Sequence, residues 1–149
     1  MTDYSTSMRT DRCGDLRVDD VGRQVTLCGW VDRRREHGEH LAFIDLRDRS
    51  GVVQLVVDGA HDLRSEYVLQ VSGTVRERPA DTANDSLVTG AVEIDAVEVT
   101  VLAAAEPPPF PIDERTDVDE MLRLKHRYVD LRRPRMQRNL EVRARVNSA

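Results

Sequence analysis

The chain has 149 residues, 40% of them hydrophobic and 33% charged, with a formal net charge of −5. That is room for one domain with a real core plus additional chain, and an acidic chain should not bind polyanions indiscriminately. No apolar run approaches the ~20 residues of a membrane span, and the polar opening MTDYSTSMRTD has no signal-peptide core, so a cytoplasmic protein without membrane attachment is expected.

Residues 1–10 read as a frayed tail. Across residues 24–33, Val25, Leu27 and Val31 alternate against Thr26, Cys28 and Trp30, which predicts a strand. Gly29 inside it marks a bend or a close backbone approach. Residues 41–48 form the second strand, with Ala42, Ile44 and Leu46 on the core face and Leu41, Phe43, Asp45 and Arg47 on the other. Arg47 is expected in an internal ion pair with Asp45 or Asp48. The DRSG of residues 48–51 is a tight turn. The third strand, residues 52–58, turns Val53, Leu55 and Val57 inward and Gln54 outward.

Residues 61–66 read as a short helical or turn segment. The fourth strand, residues 67–78, sends Tyr67, Leu69, Val71 and Val75 inward and Gln70, Ser72, Thr74, Arg76 and Arg78 outward. A polar loop over residues 79–90 leads to a fifth strand at 91–104. Its phase slips between Ile94 and Val97, which predicts a bulge near Asp95 and Ala96. EPPPFP at residues 106–111 is a stiff extended spacer. A helix is expected over residues 117–130. A second begins near Pro134 and carries Met136, Leu140 and Val146, with no glycine cap before the last residue.

Charge is uneven. Residues 123–149 carry nine Lys/Arg against two acids, a net +7, so given the overall −5 the residues before them carry −12. Such asymmetry suggests two units with different jobs. Cys13 and Cys28 have no metal-ligand spacing and read as buried thiols rather than a disulfide. The four histidines form no HxxxH or HExxH, so no metal site is expected.

Phe43 shares the water-facing side of its strand with an acid and an arginine, close after Arg33, Arg34 and Arg35. A ring that stacks a base beside cations that take phosphates is the composition of a single-stranded nucleic-acid platform. Lone exposed aromatics also occur without function. Five strands with a short helix between the third and fourth is the element order of a mainly β, five-stranded OB-fold barrel, whose second and third strands commonly bind oligonucleotides.

Four blocks carry a resemblance to the N-terminal part of bacterial aspartyl-tRNA synthetases: VTLCGWVDRRR, FIDLRDRSGVVQ, LRSEYVLQVSGTVRER with residues 89–94, and LRLKHRYVDLRRPRMQRN. The resemblance implies an anticodon-binding OB domain over residues 1–105, a hinge over 106–120, and the truncated start of a class II catalytic domain over 121–149. It implies that Phe43 stacks on an anticodon base, Gln54 reads the central uracil and Glu93 reads the third base. Arg35, Arg76 and Arg78 would hold backbone and flanking bases, with Arg64 a further candidate. A ring stacks on any base, an amide can offer uracil a donor and an acceptor, and a carboxylate accepts from a cytosine amine.

His37 resembles the histidine of family members that charge both aspartate and asparagine tRNAs. Asp81 stands where those members often have glycine, so both specificities stay open. The HGEHLAF loop is one residue longer than the family's usual form. The resemblance further implies that ATP and magnesium serve the full-length reaction. The fragment, ending within the motif-one helix of the family's dimer interface, is expected to bind tRNA as a monomer without catalysis, while the parent is a homodimer. Two alternatives remain: a stand-alone RNA- or ssDNA-binding OB module, which would have no use for the RYVDLRRP block, and an asparaginyl-type synthetase fragment.

Overall fold

A computed structural model describes residues 8–38, 40–59 and 62–149. Glu39, Ala60, His61 and the side chain of His37 lie outside the described set, and with them part of the longer 37–40 loop and the start of the 61–66 segment. The chain forms two compact units, residues 1–106 and 107–149.

The first unit is a closed barrel of β1 (Gln24–His37), β2 (Leu41–Arg47), β3 (Val52–Asp58), β4 (Val68–Glu77) and β5 (Val92–Ala103), in the order β1-β2-β3-β5-β4. Only the β3–β5 seam is parallel. The first half of β1 pairs with β4 and the second half with β2. Its 14 residues therefore bend around the barrel corner. Two sequence devices allow this. Asp32 is an extra residue between the pairs Val31↔Leu46 and Arg33↔Asp45, a bulge that increases local twist. A Cβ on Gly29 would lie 2.6 Å from the Arg47 carbonyl oxygen, the close approach that its place in the strand predicts. β1 runs past residue 33, so the three arginines lie on the strand rather than beyond it.

The inward faces close one core: Val25, Leu27, Val31, Ile44, Leu46, Val53, Leu55, Val57, Leu69, Val71, Val75, Val92 and Ile94 are all buried. Alternation placed them, because one face of every strand points to the barrel axis. Two plugs join them. Leu63 comes from the connection before β4, and Cys13 and Leu16 come from the N-terminal segment. That segment is tied down. The Cys13 N–H donates to Asp48 Oδ2 at 2.9 Å and the Gly14 N–H to Ser50 Oγ at 2.8 Å. Burial, with Asp48 beside it, pushes the Cys13 thiol well above its ordinary range. Both cysteines are free thiols, Cys13 buried and Cys28 half-buried.

Several expectations need correction. Residues 8–10 are docked rather than frayed: the Thr10 N–H donates to the Thr26 carbonyl at 2.9 Å, and Gln70 Nε2 to the Met8 carbonyl at 2.7 Å. Of the helix or turn expected between the third and fourth strands, the described residues 62–67 hold the turn and not the helix. The stretch is too short to offset helix nucleation, and Glu66 sits at φ 66°, outside helical space. The β5 bulge falls at Val97, between Gly73↔Ala96 and Ser72↔Glu98, just past the predicted site. Arg47 does form an internal ion pair, but with Glu66, 2.9 Å away, and Asp32. Asp45 is engaged by Arg35, and Asp48 holds its own turn by accepting from the Ser50 and Gly51 N–H groups at 2.7 and 3.2 Å.

In the second unit, Phe110, Ile112, Val118 and Val129 form a small buried cluster with Leu122 packed on it. Three of these come from the segment expected to be a hinge, so the prolines lead into a folded piece. The helix expected over 117–130 is two pieces, α1 (Glu120–Lys125) and α2 (Arg127–Asp130), broken at His126 with φ −113° and ψ 48°. Asp119 caps α1 by accepting from the Met121 and Leu122 N–H groups. The break lets Val129 reach the cluster while Asp130, fully buried, meets Arg127 at 2.5 Å and Arg133 at 3.8 Å. α3 (Pro134–Ser148) has proline in its first turn, as predicted. No helix among the described residues is long and apolar enough to cross a membrane.

Candidate nucleic-acid interface

The strand registers line up one residue from each of the five strands: Arg33↔Asp45, Asp45↔Gln54, Gln54↔Glu93 and Glu93↔Arg76. The parallel β3–β5 seam brings Gln54 and Glu93 together, though they are 39 residues apart in sequence. The next rank on the same face reads Arg35↔Phe43↔Val56↔Asp95↔Thr74. One continuous face of the barrel therefore carries Arg35, Phe43, Gln54, Arg76 and Glu93.

These side chains are bonded in series. Arg35 Nη2 donates to Asp45 Oδ1 at 2.8 Å and to Gln54 Oε1 at 3.1 Å. Gln54 Nε2 donates to Glu93 Oε2 at 2.8 Å. Arg76 Nε donates to Glu93 Oε1 at 2.8 Å, and its Nη1 lies 3.5 Å from Asp95 Oδ2. Gln54 and Glu93 are nearly buried, 7% and 3% exposed, while the outer arginines are half in water. Phe43 is half-buried.

Two charges, one in this series and one beside it, are perturbed. Burial raises the Asp45 carboxyl above its usual range, and Arg35 only partly offsets it. Arg78 follows β4 and is buried, 6% exposed. Its Nε donates to the Val92 carbonyl at 3.1 Å, its Nη1 reaches the Thr82 carbonyl at 3.5 Å, and its Nη2 has no hydrogen-bond partner. Burial lowers this guanidinium from its ordinary range, while Glu93 and Asp45 oppose the shift. A buried cationic donor with one N–H side unfilled is poised to bond an incoming acceptor.

Raising the folded pKa of Asp45 gives a pH dependence of defined sign. The folded state holds its proton to higher pH than the unfolded state, so the stability linked to this group is full below the unfolded pKa and lost as pH rises through the folded one. Unfolding free energy of the parent minus that of Asp45→Asn should therefore fall as pH rises through that window. Urea melts at a series of pH values check this. A difference that rises with pH would mean that Arg35 outweighs burial.

Of the seven residues predicted for the site, the structure gathers Arg35, Phe43, Gln54, Arg76 and Glu93 on one face, with Arg78 beside its buried carboxylates. Arg64 is apart. It pairs with exposed Asp62 at 3.2 Å, and among the described residues no hydrogen bond or ion pair joins it to the series. Sequence reasoning missed Asp45 as the partner of Arg35, and Asp95 as the partner of Arg76. Asp45 was visible in the β2 alternation, on the same side as Phe43. Asp95 was assigned to a bulge, and its register with β4 depends on a pairing that no local pattern specifies.

The chain and its fold are similar to known proteins. Residues 25–102 match a family model described as an OB-fold nucleic acid binding domain. The chain is 53% identical over 143 residues to an Aspartate--tRNA(Asp/Asn) ligase of Pseudarthrobacter chlorophenolicus, covering 94% of this chain and 24% of that protein. It is 50% identical over 159 residues to a ligase of the same name from Heliobacterium modesticaldum, covering 100% of this chain and 26% of that protein. It thus spans about a quarter of the length of these curated relatives. Among solved structures, it superposes on the asparaginyl-tRNA synthetase of Pyrococcus horikoshii complexed with asparaginyl-adenylate. The TM-score is 0.66 at 26% identity, over 83% of this chain and 29% of that one. By its barrel and by the match over 25–102, this chain belongs to the tRNA anticodon family of OB-fold nucleic acid binding domains.

Proposed function

We propose that this chain is the tRNA-recognition part of an aspartate–tRNA ligase, and that its barrel reads the anticodon loop on the Phe43 face. The observation that carries this reading is the bonded series Asp45–Arg35–Gln54–Glu93–Arg76 beside the half-buried Phe43 ring. A stacking ring flanked by directional donors and acceptors reads a splayed-out base. Arginines at the margin suit phosphates and flanking bases. In this reading Phe43 stacks on one anticodon base, Gln54 addresses the central uracil, and Glu93 with Arg78 addresses the third.

The whole ligase would join aspartate to tRNA using ATP and magnesium. Among the described residues no group of three or more His, Cys, Asp or Glu is placed to hold a metal ion. The exposed Leu140, Val142 and Val146 of α3 suit the homodimer contact of the whole enzyme, and the free thiols suit a reducing cytoplasm. The junction RYVDLRRP favours this reading over a stand-alone OB module.

The chain should bind a stem-loop carrying the aspartate anticodon more tightly than one with a changed central base, by about 1–3 kcal/mol. Fluorescence anisotropy with both loops at one stated salt concentration measures this. Equal affinities would sink the base-reading assignment.

A further inference from the structure

We propose that Arg76 and Asp45 are positioning residues that hold the Gln54 amide one way round, and that this fixed orientation gives the site its preference for uracil over cytosine. The proposal rests on the anticodon reading above and names the source of its selectivity.

An amide carries an acceptor on one side and a donor on the other. Here the Oε1 side of Gln54 faces the Arg35 guanidinium at 3.1 Å, and the Nε2 side faces the Glu93 carboxylate at 2.8 Å. Turning the amide over would set oxygen against carboxylate and N–H against guanidinium. Both bonds would be lost in a place water reaches poorly. The flanking groups are held in turn. Asp45 takes the same Nη2 of Arg35 at 2.8 Å. Arg76 fixes the other oxygen of Glu93 at 2.8 Å. The amide is thus braced from both ends, and the braces reach out to half-exposed arginines.

A braced amide has one lone pair and one N–H left, in a set order: acceptor toward β2, donor toward β5. A base held in one pose by stacking must present a donor and an acceptor in the complementary order. The N3–H and O4 of uracil do so. Cytosine in the same pose presents an acceptor at N3 and a donor at N4, so like meets like twice. A free amide would rotate to suit either pyrimidine. A held amide cannot, and the choice between bases follows from the brace rather than from Gln54 alone.

The test compares the parent chain with Arg76→Ala, Arg76→Lys and Asp45→Asn, using stem-loops with uracil or cytosine at the central anticodon position. Anisotropy is read at several salt concentrations. The parent should prefer uracil by about tenfold, within the range for one mismatched position. Arg76→Ala and Asp45→Asn should bring that ratio toward unity, mainly by improving relative binding of cytosine, and Arg76→Lys should restore most of it. If Arg76→Ala weakens both loops equally, keeps the ratio and reduces the salt slope, Arg76 acts as a phosphate contact only and the proposal is overturned. A parent with no preference would instead overturn the anticodon reading. An RNA-free measurement separates the two. By NMR, the Gln54 side-chain amide should exchange with solvent more slowly than the exposed Gln24 amide, and faster in Arg76→Ala than in the parent. Unchanged exchange in the variant would overturn the brace whatever the chain binds.

Discussion

Phe43→Ala should weaken binding of the anticodon stem-loop by about 1–3 kcal/mol, the span for losing one base–aromatic stack, or roughly fivefold to 150-fold in Kd. The loss should be similar for loops of different sequence, since every base has a face to stack. The fold should survive. Phe43 is half-buried on the outer side of β2, while the core beneath it is completed by Ala42, Ile44 and Leu46. A fully buried Phe→Ala change costs about 3–5 kcal/mol, and this one should cost well under half of that. Anisotropy and thermal melting of the same preparation separate the two effects. A melting temperature lowered as for a core deletion, with Kd little changed, would make Phe43 a packing residue and remove the stacking platform.

That variant probes a face that was largely legible in the sequence. Strict alternation in β2 put Phe43 and Asp45 on one side and Ile44 and Leu46 on the other, because a half-buried strand has period two. The same rule placed Gln54 opposite Val53 and Leu55. What alternation does not encode is that Gln54 is nearly buried while facing outward. Its cover comes from neighbouring strands: Asp45 stands beside it in register on β2 and Glu93 on β5. The β3–β5 pairing is parallel and non-local, so nothing in either strand announces it. The roles expected of Gln54 and Glu93 rest on family resemblance, and only the barrel shows that the two side chains are bonded to each other.

Other misses have the same origin. Arg47 was expected to use the acids nearest in sequence. The β1 bulge at Asp32 and the positive φ of Glu66 instead bring two distant carboxylates to it. Leu63 was read as part of a helix or turn, yet it is a core plug. A single apolar residue in a polar connection gives no periodicity to read. Phe110 was read as part of a stiff spacer and is buried in the second unit. Prolines report backbone conformation, not what the side chain between them packs against.

Gly73→Ala should destabilise the barrel and blunt its base selectivity together. Gly73 sits in β4 beside the β5 bulge, paired with Ala96. A Cβ there would lie 2.3 Å from the Asp95 carbonyl oxygen, 2.8 Å from Ile94 Cγ2 and 3.0 Å from the Ala96 Cα. Two of those three atoms are backbone, so no side-chain rotation relieves the clash, and the seam must open or slide. Overpacking of this kind costs about 1–3 kcal/mol, occasionally more. For a barrel of roughly a hundred residues that is a fall of at least about 4 °C in Tm. The same seam carries the Arg76–Glu93 bond at 2.8 Å, three residues along β4, and the ion pair of Arg76 with Asp95. A shift of a few tenths of an ångström there loosens Glu93, and Glu93 holds one end of the Gln54 amide. The uracil-over-cytosine ratio should therefore drop in Gly73→Ala although the residue touches no base. As a control, Gly22→Ala leaves the row alone: nothing lies within 4 Å of a Cβ at Gly22, whose φ of +90° carries the only strain. That variant should lose some stability and keep the full ratio. Selectivity retained in Gly73→Ala at a temperature well below its Tm would show that the β4–β5 seam does not transmit to the amide.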